Sequence, residues 1–141
     1  MVAERLEDAH IQQFLATKDV VVLATVQADG SPLAAPMWFL HRRDTLTMIS
    51  EVDTQKVRNL RRDPRACVVA DGGTRSNNQS VIILGRAEFL TGSPERQALV
   101  EALLEKYHPD LRHRWGGGVM PPDRVMFRIV AQKVRSWGVS P

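Results

Sequence analysis

The sequence predicts a mainly β (α+β) fold: six antiparallel strands forming a closed or nearly closed barrel, with three short helices at its ends. Three observations carry this reading. Apolar, β-branched runs recur between tight turns, helical periodicity is confined to three short segments, and strands and helices do not alternate as in βαβ units. The 141 residues fit one compact domain, residues 1–141, with room for a real core and none for a second.

Asp8 precedes Ile11, Phe14 and Leu15, the spacing of a short amphipathic helix capped by a carboxylate. Val20–Val26 is too short and too β-branched for a helix and reads as a strand. Asp29-Gly30 closes a hairpin onto a return strand, Pro32 to Leu40, where Pro36 demands an edge position or a bulge. Arg42-Arg43-Asp44 makes a second turn and Thr45–Ser50 a third strand. Thr54 starts a helix running from Gln55 to about Arg62, with Val57 and Leu60 facing inward. It ends at Asp63-Pro64, because a residue before proline is pushed out of the helical region.

Ala66–Ala70 is a strand, Asp71–Asn78 a polar loop, and Ser80–Leu90 a long strand with Gly85 as a bulge or close-approach point. Ser93 caps a third helix with Pro94 in its first turn, and Leu99, Leu103, Leu104 and Tyr107 form its buried stripe. A Gly/Pro loop leads to the last strand, Arg124–Trp137. No repeat or low-complexity segment interrupts this order.

Composition excludes several classes. The hydrophobic fraction of 43% and charged fraction of 25% are those of an ordinary globular protein, and no apolar run approaches the length of a membrane span. The acidic N-terminal stretch lacks the apolar segment of a secretory signal. A single cysteine, Cys67, forbids an internal disulfide, fits a reducing cytoplasm, and reads as a small buried hydrophobe. The four histidines and one cysteine have no metal-ligand spacing, so no metal is expected.

The most informative stretch is Ser50-Glu51-Val52-Asp53-Thr54-Gln55-Lys56, where a strand ends and a helix begins. A helix N-terminus offers unpaired amides and partial positive charge, so it suits a phosphate. Ser50 and Thr54 add hydroxyl donors and Lys56 a point charge. The same residues also read as an ordinary N-cap followed by a solvated basic face. A lysine in the first turn opposes the helix dipole, which favours the phosphate reading.

TQKVRNLRRDPRACVV, preceded by LATVQADGSPLAAPMWF and followed by VIILGRAEFL, resembles the pyridoxamine 5′-phosphate oxidase-like split-barrel flavoproteins. The resemblance runs from about Phe14 to Leu90 and resumes at Arg124–Trp137. It implies a six-stranded antiparallel split β-barrel that forms a homodimer, with cofactor sites between the subunits. Carried over by position, Ser50, Thr54, Gln55 and Lys56 hold the cofactor phosphate, and Pro36, Met37 and Trp38 line its ring. Asn59 follows as a further contact, and Ser80 (or Gln79) falls where a second subunit reaches the ring. The chain lacks the C-terminal Arg-Leu-His motif of true pyridoxamine phosphate oxidases, so synthesis of pyridoxal phosphate is not implied. The basic run Lys56 to Arg65 looks most like family members that bind the deazaflavin F420, whose longer anionic tail extra arginines would serve. The implied activity is FMN- or F420-dependent hydride transfer to or from a small organic substrate.

No side chain stands out as a catalytic acid: His41, His108 and His113 fall in predicted turns or loops, and Tyr107 reads as core. Trp38 and Trp137 are read as ring-stacking or pocket-wall residues, Trp137 alternatively as core or interface. The rival from another class is a non-catalytic flavin or haem carrier, with His41 or His113 as axial ligand. Nucleic-acid binding through Arg58, Arg61, Arg62 and Arg65 is opposed by the interspersed Glu51, Asp53 and Asp63 and by a net charge of only +3.

Overall fold

The computed structural model describes residues 3–140. One seven-stranded antiparallel sheet has the spatial order β2-β1-β5-β6-β7-β4-β3. Its strands are β1 (Val21–Val26), β2 (Pro32–Met37), β3 (Leu40–Arg42), β4 (Thr45–Glu51), β5 (Arg65–Gly73), β6 (Asn78–Phe89) and β7 (Arg124–Trp137). The helices are α1 (Ala9–Ala16), α2 (Gln55–Arg62), α3 (Arg96–Lys106) and α4 (Asp110–Trp115).

The two edge strands, β2 and β3, are consecutive in the chain and joined only by Trp38 and Phe39. Three Cα steps span at most roughly 11 Å, so the sheet must curl until its edges nearly meet. The result is a barrel with a seam at β2/β3 where no ladder forms: a split barrel. The strand count is seven, not six, because the predicted strand Pro32–Leu40 is cut at this seam and Leu40 opens β3 instead.

The other departures are local. The predicted loop Asp71–Asn78 shrinks to a tip at Thr74–Asn77, because Asp71, Gly72 and Gly73 pair with Ser80, Gln79 and Asn78 to extend the β5–β6 hairpin as an arm. α3 starts at Arg96, after a turn in which the Ser93 hydroxyl accepts the Glu95 amide at 3.3 Å. A fourth helix, α4, occupies part of the predicted Gly/Pro loop, so His113 is helical. Asp8 stands at the N-cap of α1, but its carboxylate accepts the Arg5 amide at 2.8 Å and caps nothing in the helix. The Asp29–Gly30 hairpin forms, with Gly30 at φ 87°, and Pro36 lies in an edge strand. Gly85 sits at the bulge between β6 and β7, where a Cβ would come within 2.3 Å of the Val130 carbonyl.

Alternation fills the barrel. Leu23, Val68, Val81, Ile83, Phe127 and Ile129 point inward with Leu46, Met48 and Leu60. Each such side chain stabilises the fold by about 1.5–3 kcal/mol. A second apolar cluster (Leu99, Leu103, Leu104, Tyr107, Leu111 and Met126) packs α3 and α4 against the outside, and Trp38, Ile49 and Trp115 border it.

The opposite face of β2-β1-β5-β6 is apolar but open. The ladders align Pro36, Val22, Val69 and Ile82 in one row and Ala34, Ala24, Cys67 and Leu84 in the next, with Arg135 and Lys133 flanking on β7. Val22 is 40% and Leu84 43% exposed. Cys67 is thus half-buried on this outer face rather than in the core, and burial pushes its thiol pKa up.

Candidate functional site

A cleft of about 630 Å³ opens beside the seam. Its walls are the end of β2 and the seam (Pro36, Met37, Trp38), the end of β4 (Ile49, Ser50, Glu51) and the start of α2 (Thr54, Lys56). Leu111, Arg114 and Trp115 of α4 and Arg124 of β7 complete it. Six residues named from the sequence therefore meet in one place: Pro36, Met37, Trp38, Ser50, Thr54 and Lys56.

The start of α2 has the features an anion needs. Thr54 occupies the N-cap with an extended backbone, yet its side chain does not cap the helix. Its hydroxyl donates to the Glu51 carbonyl at 3.1 Å and lies 3.3 Å from the Ser50 hydroxyl. Among the described residues, the amides of Gln55, Lys56 and Val57 find no acceptor. First-turn amides left open beside two hydroxyls and a lysine are groups with the chemistry to donate hydrogen bonds to an anion and offset its charge. Lys56 has no carboxylate partner among the described residues, whereas Arg124 is paired with Asp123 at 2.6 Å and Glu51 at 3.6 Å.

The remaining three residues sit elsewhere. Gln55 is exposed, donating to Asn59 at 2.8 Å and accepting from Arg58 at 3.0 Å. Asn59 is fully buried under α2, where it donates to the Thr25 hydroxyl at 3.0 Å and fixes the helix to β1. Ser80 is buried at the base of the β5–β6 arm, paired with Asp71 and Trp137 and away from its own chain's cleft. Neither His41 nor His113 lines the cleft. His41 lies in β3 with Nε2 3.0 Å from the Arg43 carbonyl, and burial lowers its pKa.

Trp38 is held by groups that sequence reasoning missed. Tyr107 stacks on it at 4.3 Å with planes 3° apart, and the Arg114 guanidinium lies over its ring at 4.4 Å. Its π surface is thereby engaged, so Trp38 forms a wall rather than a free stacking platform. The seam leaves the backbone of Phe39 without ladder partners, and α3 supplies them. The Tyr107 hydroxyl accepts the Phe39 amide at 2.9 Å and donates to the Asp19 carbonyl at 2.7 Å, while Lys106 Nζ donates to the Phe39 carbonyl at 2.7 Å. Burial pushes the Tyr107 pKa up to about 12 and that of Lys106 down to about 8. Burial was readable from the apolar stripe of α3; these hydrogen bonds were not.

The arginines after Lys56 turn away from the cleft. Arg58 pairs with Asp53 at 2.8 Å and Arg65 with Asp63 at 2.7 Å. Arg61 lies over Phe89 at 4.1 Å, and Arg62 donates to the Val26 carbonyl.

No curated protein matches the chain in sequence. Among solved structures, a conserved hypothetical protein of Mycobacterium tuberculosis is 28% identical, with a TM-score of 0.80 over 97% of this chain and 88% of that one. A Listeria innocua protein provisionally assigned as a pyridoxamine 5′-phosphate oxidase is also 28% identical, with a TM-score of 0.72 over 91% of this chain and 95% of that one. The haem storage protein of Vibrio cholerae shares the fold at 18% identity, with a TM-score of 0.75 over 94% of each chain. The family model described as pyridoxamine 5′-phosphate oxidase matches residues 7–138, which takes in the whole barrel and the cleft. Because this match spans most of the chain and the seamed barrel agrees with it, the chain belongs to the pyridoxamine 5′-phosphate oxidase family.

Proposed function

We propose that this protein is an oxidoreductase that holds FMN or the deazaflavin F420 in the cleft and serves hydride transfer to or from a small organic substrate. The observation that carries the reading is the start of α2: open amides, two hydroxyls and a lysine with no carboxylate partner among the described residues, beside an apolar wall. These residues fit a phosphate-bearing, ring-bearing cofactor, with Ser50, Thr54 and Lys56 taking the phosphate and Pro36, Met37 and Trp38 flanking the ring. When bound, such a cofactor supplies the hydride chemistry. The chain's own part is to bind, orient and exclude water, and no side chain is assigned as acid or base.

The arginines after Lys56, which resemble those of F420-binding family members, are each engaged outside the cleft. Arg114 remains as the other cleft cation without a carboxylate partner among the described residues. A single phosphate seat suits FMN at least as well. Parallel titration of cofactor-free protein with FMN and with F420, read by fluorescence and melting temperature, decides between them.

The partner in this proposal is a second copy of the chain. The open apolar rows on β2-β1-β5-β6 border the cleft through Pro36, so a copy seated there would wall both clefts. Ser80, buried on the same sheet face, is assigned by this proposal to the contact with the other subunit. The cytoplasm is the proposed compartment, in keeping with the single thiol. For the carrier alternative, haemin titration is the test: a haem-ligand band, with no binding of either flavin, would replace the redox reading.

A further inference from the structure

A second groove of about 630 Å³ lies on the other side of the seam, between α1, β3 and α3. Its floor is apolar (Leu15, Phe39, Leu40, Ala102), and Lys106, His41, Arg42, Arg43 and Glu105 stand around it. Nothing in the proposed redox reading uses this groove. We propose that it is a carbonyl-binding site in which the Lys106 amine condenses reversibly with a small aldehyde bearing a carboxylate.

Several observations converge on Lys106. Its Nζ lies 3.5 Å from the centroid of the Phe39 ring and donates to the Phe39 carbonyl at 2.7 Å, so the amine is fixed at the groove wall. No carboxylate lies within ion-pair distance among the described residues: Glu105 shares the groove without reaching it, and Asp19 acts only at longer range. Burial lowers the amine's pKa to about 8. Near pH 8 that leaves roughly a hundredfold more free amine than on a lysine of ordinary pKa. Arg42 and Arg43 are exposed at the rim and have no ion-pair partner among the described residues, which gives a carboxylate its place. His41 stays out of the chemistry, since its ring faces the Arg43 and Leu6 carbonyls.

The step is a condensation without redox change. The Nζ lone pair attacks the carbonyl carbon and the C=O π pair moves to oxygen. A proton passes from nitrogen to oxygen to give the carbinolamine, and loss of water leaves a C=N bond to Lys106. Hydrolysis reverses it.

The chain has only four lysines (Lys18, Lys56, Lys106 and Lys133), which makes the test clean. The folded full-length protein is treated with glyoxylate and cyanoborohydride at pH 8, and carboxymethylation of each lysine is followed by peptide mass spectrometry. Lys106 is expected to react at least about tenfold faster than the other three, and to lose that lead with acetaldehyde, which lacks the carboxylate. Lys106→Arg keeps a donor to Phe39 and should abolish the dominant adduct. Rates within about threefold across all four lysines, or a lead by Lys56, would overturn the proposal and leave Lys106 a clamp on the seam alone. Cofactor binding is not involved, so failure here and failure of the redox reading are separate results.

Discussion

Tyr107 lies flat against Trp38, ring centroids 4.3 Å apart, while its hydroxyl accepts the amide of the next residue, Phe39, at 2.9 Å. One side chain thus satisfies the backbone where the barrel is open and sets the wall of the cleft. Tyr107→Phe leaves the buried Phe39 amide without its acceptor and is expected to cost about 1–3 kcal/mol, measured by urea unfolding. Cofactor affinity should fall less, because the ring that stacks on Trp38 remains and only the backbone beside it is loosened. An unchanged unfolding midpoint would show that water replaces the hydroxyl.

Tyr107 and its neighbour Lys106 set an alkaline stability profile. Lys106 has its folded pKa lowered from 10.5 to about 8, so the unfolded chain binds that proton more tightly, and this group's contribution rises with pH between 8 and 10.5. Tyr107 has its folded pKa raised from 10 to about 12, so its contribution is complete below pH 10 and is lost between 10 and 12. Thermal melts in closely spaced buffers should show the rise in the wild type and not in Lys106→Arg, since arginine does not titrate there. A rise of equal size in both proteins would assign it to another group.

Asn59 belongs to the joint between α2 and β1, where it links Thr25 at 3.0 Å to Gln55 at 2.8 Å. Asn59→Ala strands the buried Thr25 hydroxyl, and a stability loss of about 1–3 kcal/mol is expected. Its cofactor Kd should change less than that of Lys56→Ala. A larger change in Kd than in stability would return Asn59 to direct contact.

The open apolar rows give a test of assembly. Val22→Arg with Leu84→Arg places two charges where the ladders align apolar residues of β1 and β6. Sedimentation velocity should find the wild type dimeric and the double variant monomeric, because desolvating unpaired charge opposes association. A monomeric wild type would remove the shared cleft.

What the sequence disclosed, and what it hid, follows from the range of the interactions. Gly30, Pro36 and Gly85 announced a hairpin, an edge and a bulge, since each reports a local backbone constraint. The cut at Trp38–Phe39 was invisible, because an apolar run reads as one strand until Tyr107 and Lys106, some 68 residues away, take over its hydrogen bonds. α4 was missed because Asp110–Trp115 is short, polar and set among Gly and Pro. Cleft residues flanking the start of α2 were legible, since strand end, hydroxyl and lysine are close in sequence. Arg114 and Trp115 were not, being brought there by packing alone.

The most direct measurement is the affinity of the protein for FMN and F420 before and after Lys56→Ala. For whichever cofactor binds, loss of one charged hydrogen bond should weaken binding by about 1.5–3 kcal/mol, roughly a ten- to hundredfold rise in Kd, with the unfolding midpoint unmoved. An unaltered Kd, or no binding of either cofactor by the wild type, would contradict an anion seat at the start of α2.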